Sequence, residues 1–301
     1  MNETSVEFFS EGVRISGILR TPDRPGNRGG IVQGPGWLGL KDAQLYVPYH
    51  EALTAAGFTV LIFDYRGFGD SGPGTLSPSD QLADLSSAVT FLSTLDDIDH
   101  VGVFGSGGTG GGNAVLLAAA DRRVTCAVSQ VPVADGADWL RRMRETDDEW
   151  QTFLARLDAD RVRRVLVGRG ANVHPREEIM IPSAERRSTT VKKDVDGRIP
   201  ASVPLAAADE ILAYQPGDVA GQVSGLMVVA VEDDLVTPTD HAEVLFDAAA
   251  APKKLVMQHN TTHYAAYGQY GDIVIPLIVA WFERHIGGPQ GSDVERVEVG
   301  L

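Results

Sequence analysis

The chain holds a single cysteine, Cys126, in 301 residues. One thiol excludes an internal disulfide framework. Its setting in Val124-Thr125-Cys126-Ala127-Val128 reads as a core strand, where a thiol is inert rather than catalytic. Basic residues are also scarce: 26 Lys and Arg stand against 41 Asp and Glu, a formal charge of −15. Such a balance repels nucleic acid and anionic membranes and leaves a small-molecule substrate as the expected partner. No apolar run approaches the ~20 residues of a membrane helix. Met1-Asn2-Glu3-Thr4-Ser5 lacks the basic and apolar regions of a signal peptide. The expectation is a cytoplasmic protein, with a homodimer as the default assembly.

What is present suffices for one large α/β domain with an insertion. Hydrophobic residues make up 43% of the chain, enough for a sizeable core. Residues 6–9 and 13–19 alternate around Glu11-Gly12 as a leading hairpin. After the loop 22–30, strands at 30–33, 59–63, 100–104 and 124–131 alternate with helices at 42–56, 77–92 and 111–120. This rhythm predicts a parallel sheet with helices on both faces and ligands at the carboxyl ends of its strands. From Ala137 to Gly221 the chain turns charge-rich and helical, with helices expected at 139–150 and 151–167 and exposed pairs Arg141 with Glu145 and Arg144 with Asp148. The sheet pattern resumes at 225–231, a capped helix starts at Thr237-Pro238-Thr239-Asp240, a strand covers 254–257, and a final helix ends at Gly287.

Four segments carry chemistry. Asp64-Tyr65-Arg66-Gly67-Phe68-Gly69-Asp70-Ser71 is a glycine-rich turn in which Asp64 and Arg66 can satisfy loop backbone groups. Gln33-Gly34-Pro35-Gly36-Trp37 ends a strand, where glycine permits close approach of a ligand. Glu232-Asp233-Asp234-Leu235-Val236-Thr237-Pro238 follows a late strand and Thr261-Thr262-His263-Tyr264 follows the last one. The order strand, Asp, helix, strand, His suits a histidine oriented by a carboxylate. His259 and Asp233 compete on proximity.

These segments resemble the α/β-hydrolase superfamily, in particular its dienelactone-hydrolase-like and acyl-peptidase-like bacterial members with a helical cap, over residues 5–286. The Asp64 segment is similar to the family's D-x-R-G-x-G-x-S turn. The resemblance implies a mostly parallel eight-stranded sheet, with core segments 1–136 and 222–288, a helical cap at 137–221 that could wall a pocket with Trp139, Met143, Trp150 and Met180, and a polar tail at 289–301 too poor in apolar residues to pack independently. It implies no cofactor and no metal. It assigns His263 as base, Asp234 as its acid, and the N–H groups around Gly36, Trp37, Gly107 and Gly108 as oxyanion and substrate contacts.

At the nucleophile the chain departs from the pattern. The family elbow reads G-x-S-x-G, whereas Val103-Phe104-Gly105-Ser106-Gly107-Gly108-Thr109-Gly110-Gly111-Gly112 puts Gly107 or Gly108 at the serine position. Ser106 and Thr109 are the available hydroxyls. One reading is therefore a covalent esterase, thioesterase or lactonase using either of them. A second is a non-covalent hydrolase, lyase, decarboxylase, dehydratase or cyclase with His263 as lone general base. A third is a ligand-binding member without chemistry.

Overall fold

The computed structural model describes residues 1–23, 26–190 and 193–301; the loop reading at Arg24 and Pro25 and the cap reading at Val191 and Lys192 fall outside these. The chain opens with β1 (Asn2–Ser10) and β2 (Val13–Thr21), an antiparallel hairpin turned at Glu11 and Gly12. Strands β3 (Gly29–Gly34), β4 (Thr59–Phe63), β5 (His100–Ser106) and β6 (Val124–Gln130) follow. Their near-continuous Val, Ile and Phe content is almost wholly buried, as strands covered on both faces require. Between them run α1 (Val47–Ala55), α2 (Pro78–Leu92) and α3 (Gly108–Ala120). At α2, Ser77 accepts from the Asp80 N–H at 3.2 Å and Pro78 fills the first turn.

The interposed stretch carries α4 (Gly136–Arg142), α5 (Asp147–Val167), α6 (Ala184–Ser188), α7 (Lys193–Asp196) and α8 (Ala207–Leu212). Two short strands, β7 (Asn172–Val173) and β8 (Val203–Pro204), pair there with each other, apart from the main sheet. The chain then returns to the sheet with β9 (Ser224–Val231), α9 (Thr239–Ala248), β10 (Ala250–Gln258), α10 (Ala266–Gln269), α11 (Gly271–His285) and β11 (Val294–Val299). The main sheet runs β1-β2-β4-β3-β5-β6-β9-β10-β11, parallel from β4 onward.

Three expectations are corrected. The sheet has nine strands among the described residues, not eight, because the polar tail supplies β11, which pairs with β10 from Lys253 to Gln258. An edge strand needs only a backbone ladder and one packed face, here ending in buried Val299. The two helices expected at 139–150 and 151–167 break at 143–146 rather than at Trp150, because Thr146 and Glu149 form a reciprocal capping box at the start of α5. Arg144 is no surface partner of Asp148: it is buried, lies 3.6 Å over the Phe153 ring and donates to the Leu140 carbonyl, while Arg141 pairs with Asp147. Cys126 is buried, and burial pushes its thiol up to about 12.

The turn after β4 is held by ions. Asp64 accepts from the Lys41 N–H at 2.8 Å and ammonium at 2.5 Å and from the Asp70 N–H at 3.0 Å. Arg66 does not serve loop backbone, as the sequence suggested; its guanidinium meets the fully buried Asp84 at 2.7 and 2.9 Å, and also Ser10, Glu11 and Asp80. Asp84→Ala therefore strands a buried guanidinium, with an expected loss of about 3–5 kcal/mol in urea unfolding.

His50 on α1 is a second buried polar anchor, accepting from Arg20 at 3.0 Å and donating to Gln33. Burial, helped by the Arg20 charge, pushes its imidazole down to about 3. The unfolded state then takes up a proton below about 6.5 that the folded state refuses. This contribution is full above that pH and fades as pH falls toward 3, with a slope up to ~1.4 kcal/mol per pH unit. Urea midpoints compared between pH 7 and pH 4.5 should fall less in His50→Gln than in the parent.

Candidate active site

The turn from β5 into α3 is set by packing. A Cβ at Gly105 would meet the Gly110 carbonyl and come within 2.7 Å of the Ala114 Cβ, so strand and helix touch only through glycine. Gly107 alone lies between the two elements, at φ +80° and ψ 167°, backbone space essentially reserved for glycine. A Cβ there would have Gly36 Cα at 3.2 Å, Gly36 N at 3.7 Å and the Tyr267 hydroxyl at 4.0 Å as its nearest neighbours. The single residue between strand and helix thus carries no side chain.

The flanking hydroxyls are engaged elsewhere. Ser106 is fully buried and donates to the Tyr267 hydroxyl at 3.0 Å; Thr109, also buried, donates to Gln81 at 3.2 Å. Neither is hydrogen-bonded to His263 among the described residues.

Asp234 and His263 do come together. The loop after β9 wraps the carboxylate: Oδ1 accepts from the Val236 and Thr237 N–H groups at 2.7 and 3.0 Å, and Oδ2 accepts from the Thr237 hydroxyl at 3.1 Å and from His263 Nδ1 at 2.8 Å. Both side chains are buried. A proton held on Nδ1 by the carboxylate leaves Nε2 as acceptor, and Nε2 has no hydrogen-bond partner among the described residues. Asp233 is exposed, and His259 sits between Glu232 and Glu298 at 2.8 and 2.6 Å; neither belongs to this pair. Thr237 is not the cap of α9. That position is Pro238, and the Thr237 hydroxyl faces Asp234 and His263 instead.

His263 lines a cavity of about 520 Å³ together with Gly36, Trp37, Gly107, Gly108 and Thr109. Trp139, Met143 and Met180 contribute to its wall and Trp150 does not. The N–H groups of Trp37 and Gly108 have no hydrogen-bond partner among the described residues; Gly108 opens α3, whose first amides point out of the helix and carry its positive dipole end. Two unpaired donors thus accompany the base, an arrangement suited to a developing oxyanion. Tyr46 and Tyr267 also line the cavity and were missed in the sequence. Burial pushes Tyr46 up to about 12 and Tyr267 well above its usual range, so both stay protonated. Tyr267 lies four residues after His263, on α10.

The model of the serine aminopeptidase S33 family matches residues 39–266. The chain is 29% identical over 288 residues to an Escherichia coli protein of 31.7 kDa from the traX-finO intergenic region, covering 92% of this chain and 98% of that one. It is 26% identical over 305 residues to a thiohydrolase of Eupenicillium brefeldianum, covering 96% and 95%. Among solved structures, the α/β hydrolase GrgF of Penicillium sp. sh18 superimposes with a TM-score of 0.78 at 21% identity, covering 95% of this chain and all of that one.

Gly107→Cys tests the reach of His263 to this turn. The strained backbone costs roughly 1–3 kcal/mol, and the new thiol should be alkylated by iodoacetamide in mass spectrometry, about tenfold more slowly once His263→Ala is added, since an adjacent base generates the thiolate. Alkylation that ignores His263 would separate position 107 from the base.

Proposed function

The chain belongs to the serine aminopeptidase S33 family of the α/β-hydrolase superfamily, and from that premise we propose that it hydrolyses a small ester or thioester without an acyl-enzyme. The observation that carries this reading is the His263–Asp234 pair at 2.8 Å opening on a cavity whose elbow residue is Gly107. His263 Nε2 takes a proton from a water molecule as the water oxygen bonds to the substrate carbonyl carbon. The carbonyl oxygen gains the electron pair and is held by the Trp37 and Gly108 N–H groups. As the tetrahedral carbon collapses, the bond to the leaving group breaks and the imidazolium returns the proton to it, with Asp234 stabilising the cationic ring in between. Residues 137–221 act as a lid in this reading, closing the cavity with Trp139, Met143 and Met180.

The full-length likeness to a thiohydrolase supports a thioester as the first substrate to try. Turnover of 4-nitrophenyl esters and acyl thioesters should fall by about 10²–10⁴ in His263→Ala. Intact mass should stay unchanged after fluorophosphonate treatment of active protein. An adduct that disappears in Ser106→Ala or Thr109→Val would overturn the water mechanism in favour of that hydroxyl.

A further inference from the structure

The chain as a whole is strongly acidic, yet the described residues lining the cavity include four arginines, Arg142, Arg176, Arg186 and Arg187, against one carboxylate residue, Glu145. Arg142 is held by Asp138 and Asp240 at 2.6 and 2.7 Å. The other three form one wall. Arg176 and Arg186 are both nearly buried and both bond the same oxygen of Asp196, Arg176 at 2.6 Å. Arg187 is half exposed, with its nearest carboxylate, Glu177, at 3.8 Å. Glu185 on the same helix is turned to the Tyr264 N–H at 3.0 Å and does not line the cavity. Two buried guanidiniums thus divide one carboxylate oxygen, an arrangement that an incoming anion relieves. Consistent with this, burial and the neighbouring Arg186 charge lower Arg176.

The wall is also placed to read substrate. The Arg186 guanidinium lies 5.5 Å over the Tyr264 ring, which stands edge-on to His263 at 4.7 Å, so one aromatic ring separates the cation from the base. Resting on the hydrolytic reading for its place in the reaction, we propose that the substrate carries an anionic oxygen group, carboxylate or phosphate, seated against Arg186, Arg176 and Arg187 while its carbonyl meets His263. A net charge of −15 repels such a substrate at long range, and the arginine wall supplies the local attraction that retains it.

Binding is read separately from turnover with ketones that have no leaving group: 4-acetylbenzoate, its methyl ester and 4-acetylphenylphosphonate, titrated by calorimetry into the parent, Arg186→Leu and Arg187→Gln. The acid should bind at least ~10-fold tighter than its ester, as charge-assisted hydrogen bonds predict. That preference should shrink to under ~3-fold in Arg186→Leu and weaken in Arg187→Gln, whose exposed side chain is not needed for folding. A phosphonate tighter than the carboxylate assigns a phosphate-bearing substrate. Equal affinity for acid and ester, or a preference untouched in both variants, overturns the proposal. Loss of hydrolysis with the preference intact would sink only the catalytic reading.

Discussion

The contact between β5 and α3 is the constraint on which the site rests. Because Gly105 has no Cβ, the helix lies against the strand, and its first residue, Gly108, lines the cavity. A methyl at position 105 would push α3 off the sheet and move Gly108 away from Trp37, which lines the same cavity beyond the end of β3. The loops after β9 and β10 then bring Asp234 and His263 to the same edge, as parallel sheets arrange at the carboxyl ends of their strands.

Electrostatics in this molecule is local. Asp84 with Arg66, Asp64 with Lys41, and Asp234 with His263 are carboxylates satisfied by several donors at once, which is how burial of charge is tolerated. The arginine wall differs in kind: Arg176 and Arg186 share one oxygen of Asp196, and both line the cavity beside Arg187.

Much of this was legible in the sequence where a local rule operates. Buried strands such as 59–63 show as unbroken apolar runs, and the Ser77-Pro78 start of α2 follows from capping chemistry. Asp234 and His263 were readable because their order along the chain mirrors the order of strands. What escaped depends on tertiary context. β11 has exposed and half-buried residues until Val299, so its alternation alone does not separate a strand from a tail. Arg144 carries a surface residue's chemistry but sits over Phe153. Counting forward from β5 reached Gly107 and counting back from an expected helix start reached Gly108; α3 starts at Gly108, three residues earlier than its apolar stretch suggested, which leaves Gly107 alone between strand and helix.

Gly107 also bears on how such a catalyst meets a second reactant. An enzyme with a side-chain nucleophile stores the acyl group, releases the first product and then admits any acceptor, so donor and acceptor never need to coexist. In the proposed water mechanism, with only hydrogen on the Gly107 α-carbon, no side chain stores the group. Under that mechanism donor and acceptor would occupy the 520 Å³ cavity together, and competing acceptor alcohols would act by displacing water from a ternary complex. The kinetics of such a protein would be sequential, and the room left beside a bound substrate would decide which acceptors succeed.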